Sequence, residues 1–350
     1  MSIKTIIANT FARIFCLLPI DNNKVVFSSF HGKYYNDAPR NIADCLRSDV
    51  KQVWVLPKNA EVPKTVVKVR PFSLAELYHL ETAKVWVDNS RKYLWVRKRK
   101  GQYYIQTWHA GAAIKKIEKE VEDTLPVEYV SRAKHDSAMA DLFISDCEFL
   151  TKQYKSIFWY SGEIMKSFVR TKKRTKNDID NINKKIRDLY DLSKEDRLVV
   201  YAPTFRSAGD LGPYEIDCDG VISALESRFG GKWKLILRLH PNISQYQTHF
   251  KYDENILNGS LYHELDDIIC CSEVVITDYS SCIFFGMYMK KKTFIFATDW
   301  TNYERGFSVD LRCLPAPFSS SKQEILLIKS SFDEEKGAGK QRKSTENPLS

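Results

Sequence analysis

Residues 274–299 read VVITDYSSCIFFGMYMKKKTFIFATD, and this stretch leaves few options for the chain that contains it. Val274, Val275 and Ile276 form a short, apolar, β-branched run, as in a strand buried on both faces of a parallel sheet. Thr277, Asp278, Tyr279, Ser280 and Ser281 follow, residues suited to ending a strand and capping a helix, and 282–289 is apolar enough to be that helix. A second strand over 293–297 completes a β-α-β unit. Such a turn aims backbone N–H groups and the positive end of a helix dipole into a crevice at the carboxyl edge of the sheet. That is an anion site, most economically for phosphate. An ordinary turn capped by Ser280 would read the same in these residues alone.

The chain has 350 residues, enough for two domains, and 43% hydrophobic with 13% aromatic residues argues for folded cores over disorder. A net charge of +9 favours acidic partners: nucleic acid, anionic lipid or a phosphate-rich substrate. The eight cysteines show no CxxC spacing, and several sit in apolar runs. They read as buried reduced thiols in a cytoplasmic protein, not as a disulfide framework or zinc site.

Residues 1–20 are apolar but interrupted by Lys4, Asn9 and Arg13, short of the ~18 to 20 residues that cross a bilayer, and no small-residue cleavage site follows. Ile3, Ile7, Phe11, Ile14 and Leu18 recur at helical spacing, which suits either an amphipathic helix in the membrane interface or one packed on its own domain. From Lys24 onward strands are expected at 25–30, 53–56, 66–69, 85–87 and 103–107, with helices over 41–47 and 73–82. That alternation is the pattern of a doubly wound α/β sheet. The loop 30–34 holds Gly32 and is a natural place for ligand contact. Residues 91–100 carry six basic side chains around Tyr93, Leu94, Trp95 and Val96, a composition that fits an anionic membrane surface or a solvated turn. No nucleic-acid-binding motif accompanies it. His109 stands at the end of the strand before AGAAIKK and is the best-placed general base in this half.

A strand at 141–145 and a helix at 148–159 close the first domain, which is expected over 21–165. The basic linker and a polar helix span 166–190, the second domain 191–332, and a polar, disordered tail 333–350. In the second domain a strand over 198–201 delivers Thr204 and Arg206, the latter able to grip a phosphate bidentately, and a strand over 234–239 delivers His240. With Asp278, Ser280 and Ser281, three strands thus bring polar groups to one sheet edge. A last helix is expected at 322–330.

YAPTFR at 201–206, RLHP at 238–241, ITDYSS at 276–281 and QTWH at 106–109 together resemble the CDP-glycerol glycerophosphotransferases, which build teichoic acids and related capsule polymers. LLPI followed by KVVFSSFHGKYYNDAPRNIA is similar to the start of the shorter members, and the resemblance runs from about residue 14 to about 332. It implies a GT-B architecture of two Rossmann-like domains facing each other across a cleft. It also implies a peripheral protein on the cytoplasmic face of the plasma membrane, a CDP-glycerol or CDP-ribitol donor and an acceptor linked to polyprenyl diphosphate. The reaction would be attack of an acceptor hydroxyl on the donor β-phosphate with release of CMP. No acidic cluster of metal-ligand type is evident in the sequence, so catalysis without metal or cofactor is expected. His109 would be the base. His240, Thr204, Arg206, Arg238, Ser280 and Ser281 would bind the diphosphate and neutralise its charge, Asp278 would orient the turn and Asp299 would reach a donor hydroxyl.

The chain departs from the family pattern at 110–113, where Ala-Gly-Ala-Ala replaces a Gly-Thr-Pro-containing segment, and after Gly162, where a PRND-like run is missing. It also has Phe285 where Asp is common, and a polar stretch after Phe332 where members continue with a helix. Two other readings share the fold and charge: a GT-B glycosyltransferase releasing a nucleoside diphosphate, and a non-catalytic, membrane-bound polymer-binding protein.

Overall fold

The computed structural model describes residues 10–109, 113–167, 169, 174–204, 206, 211–240, 248–262, 264–303, 306–314 and 316–322. The first nine residues, 110–112, the expected last helix beyond 322 and the polar tail lie outside these. The described residues divide into two compact units, the first holding 10–109 and 117–169, the second 113–116 and those from 174 to 322. Each unit has the parallel, doubly wound α/β architecture expected from the sequence.

Unit 1 is built on β1 (Asp21–Ser28), α1 (Asp37–Asp44), β2 (Lys51–Val55), β3 (Val67–Val69), α2 (Leu74–Thr82), β4 (Ala83–Asp88), β5 (Tyr103–Gln106), α3 (Val127–Met139), β6 (Leu142–Ser145), α4 (Glu148–Ile157) and β7 (Glu163–Lys166). Its strands run in the order β3-β2-β1-β4-β5-β6-β7, and every pairing is parallel. The order reverses between β1 and β4, and a crevice opens at the carboxyl ends of strands where such a reversal occurs. Trp54, Trp86, Phe27 and Tyr104 are fully buried around these strands. Each is worth a few kcal/mol of apolar burial, of the order of 1.5–3. The first helix begins at Asp37, four residues before its expected start. Pro39 sits in its first turn, where a missing N–H costs nothing.

Unit 2 comprises α5 (Lys176–Leu189), β8 (Asp196–Ala202), α6 (Cys218–Phe229), β9 (Lys232–Leu237), β10 (Ile256–Asn258), α7 (Leu265–Cys271), β11 (Val274–Thr277), α8 (Cys282–Tyr288), β12 (Lys292–Phe296) and β13 (Phe318–Ser319). The sheet order is β10-β9-β8-β11-β12-β13, again all parallel, with its reversal between β8 and β11. Val274, Val275 and Ile276 are completely buried, as a central parallel strand requires. The linker helix α5 joins this unit by packing Ile186 and Ile182 beside Leu198 and Val200. Segment 113–116 was expected with the first domain and instead belongs here: Ile114 is buried with Tyr279, Ile283 and Ile295, and Lys115 pairs with Phe307 in an isolated bridge.

Two surface expectations change. In the basic stretch 91–100, Arg91 and Lys92 are buried, Arg91 ion-paired with Glu118 and Asp136 and Lys92 with Asp88. Lys98 pairs with Asp141, and Arg99 donates to the carbonyls of Leu18 and Glu81. Only Arg97 and Lys100 of the six are exposed, so most of the positive charge of the stretch is engaged within the unit. Among the cysteines, all free, Cys270 is buried while Cys45 and Cys313 are exposed. No helix among the described residues is long and apolar enough to cross a membrane.

Candidate functional site

The chain leaves β8 through Ala202, Pro203 and Thr204, directly beside the end of β11, and Asp278 ties the two exits together. Its carboxylate accepts from Thr204 N through both oxygens, at 2.8 and 3.0 Å, from Tyr279 N at 2.5 Å and from Arg206 Nη1 at 2.8 Å. Asp278 is 1% exposed, so these bonds replace the hydration it has lost. Arg206 is also buried. Its Nε and Nη2 form a two-bond fork to Asp299 at 2.8 and 3.0 Å, Nη1 also reaches the Thr204 carbonyl at 2.6 Å, and Tyr214 and Tyr279 lie against its charge. Burial alone would lower the Arg206 pKa, but its hydrogen bonds to Asp299 and the charge of Asp278 hold it above its ordinary value. Burial likewise pushes Asp299 up, and the bonds from Arg206 and the Tyr279 hydroxyl outweigh this, keeping it ionised below the usual carboxylate value.

Around that cluster lie cationic groups from other segments. Arg238 follows β9 and is half-buried. Desolvation draws its pKa below the usual value, with Tyr190 and Glu264 only partly opposing this. His240 is exposed at the same strand end. Loss of hydration, then the positive charges of Lys115 and Arg238, lower its pKa from 6.5, while Asp278 works in the other direction. Its ring is therefore mostly neutral at pH 7. The Thr204 hydroxyl is buried and has no hydrogen-bond partner among the described residues. The edge of unit 2 thus presents a desolvated arginine, a neutral imidazole and an unsatisfied hydroxyl, a set that suits an oxyanion-rich ligand.

At the reversal in unit 1 the backbone is strained. Phe30, His31 and Gly32 have φ of 48°, 58° and 75°, three consecutive left-handed residues, and Asp37 and Trp108 are left-handed as well. Asn89, fully buried after β4, holds this turn: its Oδ1 accepts from Phe30 N at 2.7 Å, and its Nδ2 donates to Ser29 Oγ at 3.0 Å and Asp37 Oδ2 at 2.6 Å. The backbone oxygen of the same Asn89 lies 2.8 Å from His109 Nδ1. A carbonyl can only accept, so Nδ1 carries the hydrogen and the lone pair of the neutral ring sits on Nε2. Trp108 is set by a bond from its backbone N–H to Gln106 Oε1 at 2.8 Å, and the Arg91 guanidinium packs 5.1 Å from its indole. The His109 ring lies 4.2 Å from the Trp108 ring, tilted by 33°. Strain of this kind persists only where surrounding bonds over-determine it, and it collects at functional sites.

Residues 10–347 match the family described as CDP-Glycerol:Poly(glycerophosphate) glycerophosphotransferase. The chain belongs to this family. A similar protein is the teichoic acid poly(glycerol phosphate) polymerase of Bacillus spizizenii (strain ATCC 23059 / NRRL B-14472 / W23), 28% identical over 339 residues, covering 90% of this chain and 84% of that one. Another is the teichoic acid glycerol-phosphate transferase of Staphylococcus aureus (strain NCTC 8325 / PS 47), 27% identical over 356 residues, with 95% and 90% covered. The solved structure of the wall teichoic acid polymerase TagF is similar at a TM-score of 0.77 and 25% identity, over 93% of this chain and 85% of that one.

In this glycerophosphotransferase several residues singled out from the sequence hold positions different from those expected. Arg206 was expected to present its fork to a phosphate, but four of its N–H bonds are taken by Asp299, Asp278 and Thr204, so it braces the strand ends instead. Asp299 is likewise turned inward, onto Arg206 and Tyr279. Gly32 is buried, and a Cβ there would meet Val55 Cγ1 and Pro71 Cγ at 2.9 Å, so it shapes the turn and makes no outward contact. Ser281 occupies the cap position of α8 without a capping bond, while Ser280 Oγ accepts from Cys282 N at 3.3 Å. Both serines remain half-exposed beside Thr204 and Asp278 in the chain that leaves β11.

Asn89 and Lys115 escaped sequence reading. The pair Asn89-Ser90 directly after a buried strand was the available signal for the first. Lys115 had none, because its segment crosses into unit 2.

Proposed function

We propose that this glycerophosphotransferase transfers glycerol phosphate or ribitol phosphate from a CDP-alditol to a hydroxyl of a lipid-linked acceptor in teichoic acid or capsular polymer synthesis. The observation that carries this beyond family membership is the tautomer of His109. With Nδ1–H committed to the Asn89 carbonyl, Nε2 is the basic atom. In this reading Nε2 takes the proton of the acceptor hydroxyl as its oxygen bonds to the donor β-phosphorus. The bond from that phosphorus to the bridging oxygen breaks, and CMP leaves with the electron pair. Arg238, His240, Thr204, Ser280 and Ser281 receive the donor diphosphate at the edge of unit 2, where charge stabilisation dominates phosphoryl transfer. Arg206, Asp278 and Asp299 hold that edge in shape.

We further infer that the enzyme works peripherally on the cytoplasmic membrane face. Ile14, Leu17 and Leu18 are 51%, 84% and 39% exposed, an apolar strip that supports interfacial attachment. Phe15 anchors the segment by an edge contact with Tyr78 at 5.6 Å.

The deciding experiment follows nucleotide release from CDP-glycerol and CDP-ribitol with a short lipid-linked acceptor. Acceptor-dependent CMP is expected from one donor, reduced about 10²–10⁴-fold in His109→Gln. Release of a nucleoside diphosphate from a nucleotide sugar, with no CMP from either donor, would replace this reading by a glycosyltransferase.

A further inference from the structure

Arg132 on α3 stands apart from the other charges of unit 1. Its guanidinium lies 5.4 Å from the Tyr93 ring and 5.4 Å from the Tyr129 ring, yet among the described residues it makes no ion pair or hydrogen bond. Its Nε is buried without an acceptor. Three buried carboxylates of this unit are engaged elsewhere: Glu118 by Arg91 and Tyr129, Asp136 by Arg91 and Lys92 N, and Asp88 by Lys92. A desolvated guanidinium N–H left without an acceptor calls for a reason, and a ligand that completes it is one.

What lies beside it says which ligand. The His31 ring is 5.9 Å from Tyr93, the ring that also carries Arg132. Desolvation lowers the His31 pKa, and the charges of Arg132, His109 and Lys92 add to this while Asp88 opposes it. Arg132 and His109 are therefore each within electrostatic range of His31. Of the three, Arg132 is the permanent charge, and its planar fork matches phosphate oxygens.

We propose that Arg132, backed by Tyr93 and Tyr129 and flanked by His31, is an anion subsite that holds a phosphate group of the acceptor. The inference rests on the transferase reading for the word acceptor, but the site itself does not. Both the diphosphate of a lipid carrier and the phosphodiester of a growing chain offer this chemistry.

The test titrates full-length protein carrying ¹³C-labelled histidine with inorganic pyrophosphate, standing for the diphosphate, and separately with glycerophosphoglycerol, standing for the diester. His31 resonances, identified by their loss in His31→Gln, should shift saturably with at least one probe, and the tighter probe names the source. In Arg132→Gln that affinity should fall at least tenfold, with partial recovery in Arg132→Lys, which keeps the charge and loses the fork. His135, held on the same helix by a bond to the Val96 carbonyl, reports an intact fold. Equal affinity in wild type and Arg132→Gln, or no response of His31 to either probe, overturns the subsite. In the CMP assay the same variant should raise the acceptor KM about tenfold and leave the donor KM unchanged. A wild-type enzyme that releases no CMP would sink the transferase reading while the titration still decides on the subsite.

Discussion

Arg206 sits between two carboxylates, so its removal leaves Asp278 ionised and buried with no counter-charge. Breaking a buried pair in this way costs about 3–5 kcal/mol. Arg206→Ala should therefore lower the chemical-denaturation stability of the protein by roughly that amount. Were it to change only the donor KM, the residue would be a phosphate ligand after all. Glu81 makes a prediction of the opposite kind. It is 4% exposed near the carboxyl end of α2, and burial pushes its pKa from 4.5 up to about 7, with Arg99 opposing. The folded protein then holds more protons than the unfolded chain between pH 4.5 and 7, so stability is lost as pH rises through that window. Glu81→Gln stays neutral throughout and should stabilise by about 1–3 kcal/mol at pH 8, with almost no effect at pH 4.5. Thermal midpoints at the two pH values check this, and an equal gain at both would refute it. Residue types were well read from the sequence: His109, Thr204, Asp278 and His240 all stand at strand ends. Their partners were not, since Arg206 and Asp299 are 93 positions apart and nothing local announces that they meet.

Elements were legible where burial was two-sided. β8, β9, β11 and β12 lie within a residue or two of their expected spans because a central parallel strand must be apolar throughout. The edge strands β7, β10 and β13 escaped notice. They have four, three and two residues, and β7 is largely exposed, so no apolar run marks them. Helix α3 was missed for a related reason: its buried face includes Ala133, Asp136 and Ser137, which carry little hydrophobic signal. Helix α8 was expected, but its closeness to the sheet was not. A Cβ on Gly286 would come within 2.9 Å of Thr293 Cγ2 and 3.3 Å of Val275 Cγ2. Gly286→Ala should thus push α8 off β11 and β12 at a cost of about 1–3 kcal/mol, read as a lower denaturation midpoint. A neutral or stabilising result would mean that the helix moves freely there.

For the whole molecule the net charge of +9 is a property of the sum, whereas its distribution is a property of the fold. Because most of the basic side chains in 91–100 are engaged within the unit, the proposed attachment to a membrane would draw on the apolar strip at Ile14, Leu17 and Leu18 together with diffuse attraction. Binding to vesicles containing anionic lipid should weaken with added salt. Leu17→Asp should lower it at every salt concentration, by about tenfold if a leucine contributes its usual ~1.5 kcal/mol or more. Sedimentation with vesicles measures both, and an unchanged Leu17→Asp would remove this strip from the interface. The sequence alone determined the two parallel α/β units, their strand ends and the family, because strand, turn and helix patterns repeat within some thirty residues and are written in local residue order. Tertiary structure alone decided which charges are spent and which remain. Arg91 meets Asp136 across 45 positions and Glu118 across 27, while Arg132, on the same helix as Asp136, pairs with no carboxylate among the described residues. Pairing depends on distance in space and on shared desolvation, and neither is carried by the spacing of residues along the chain.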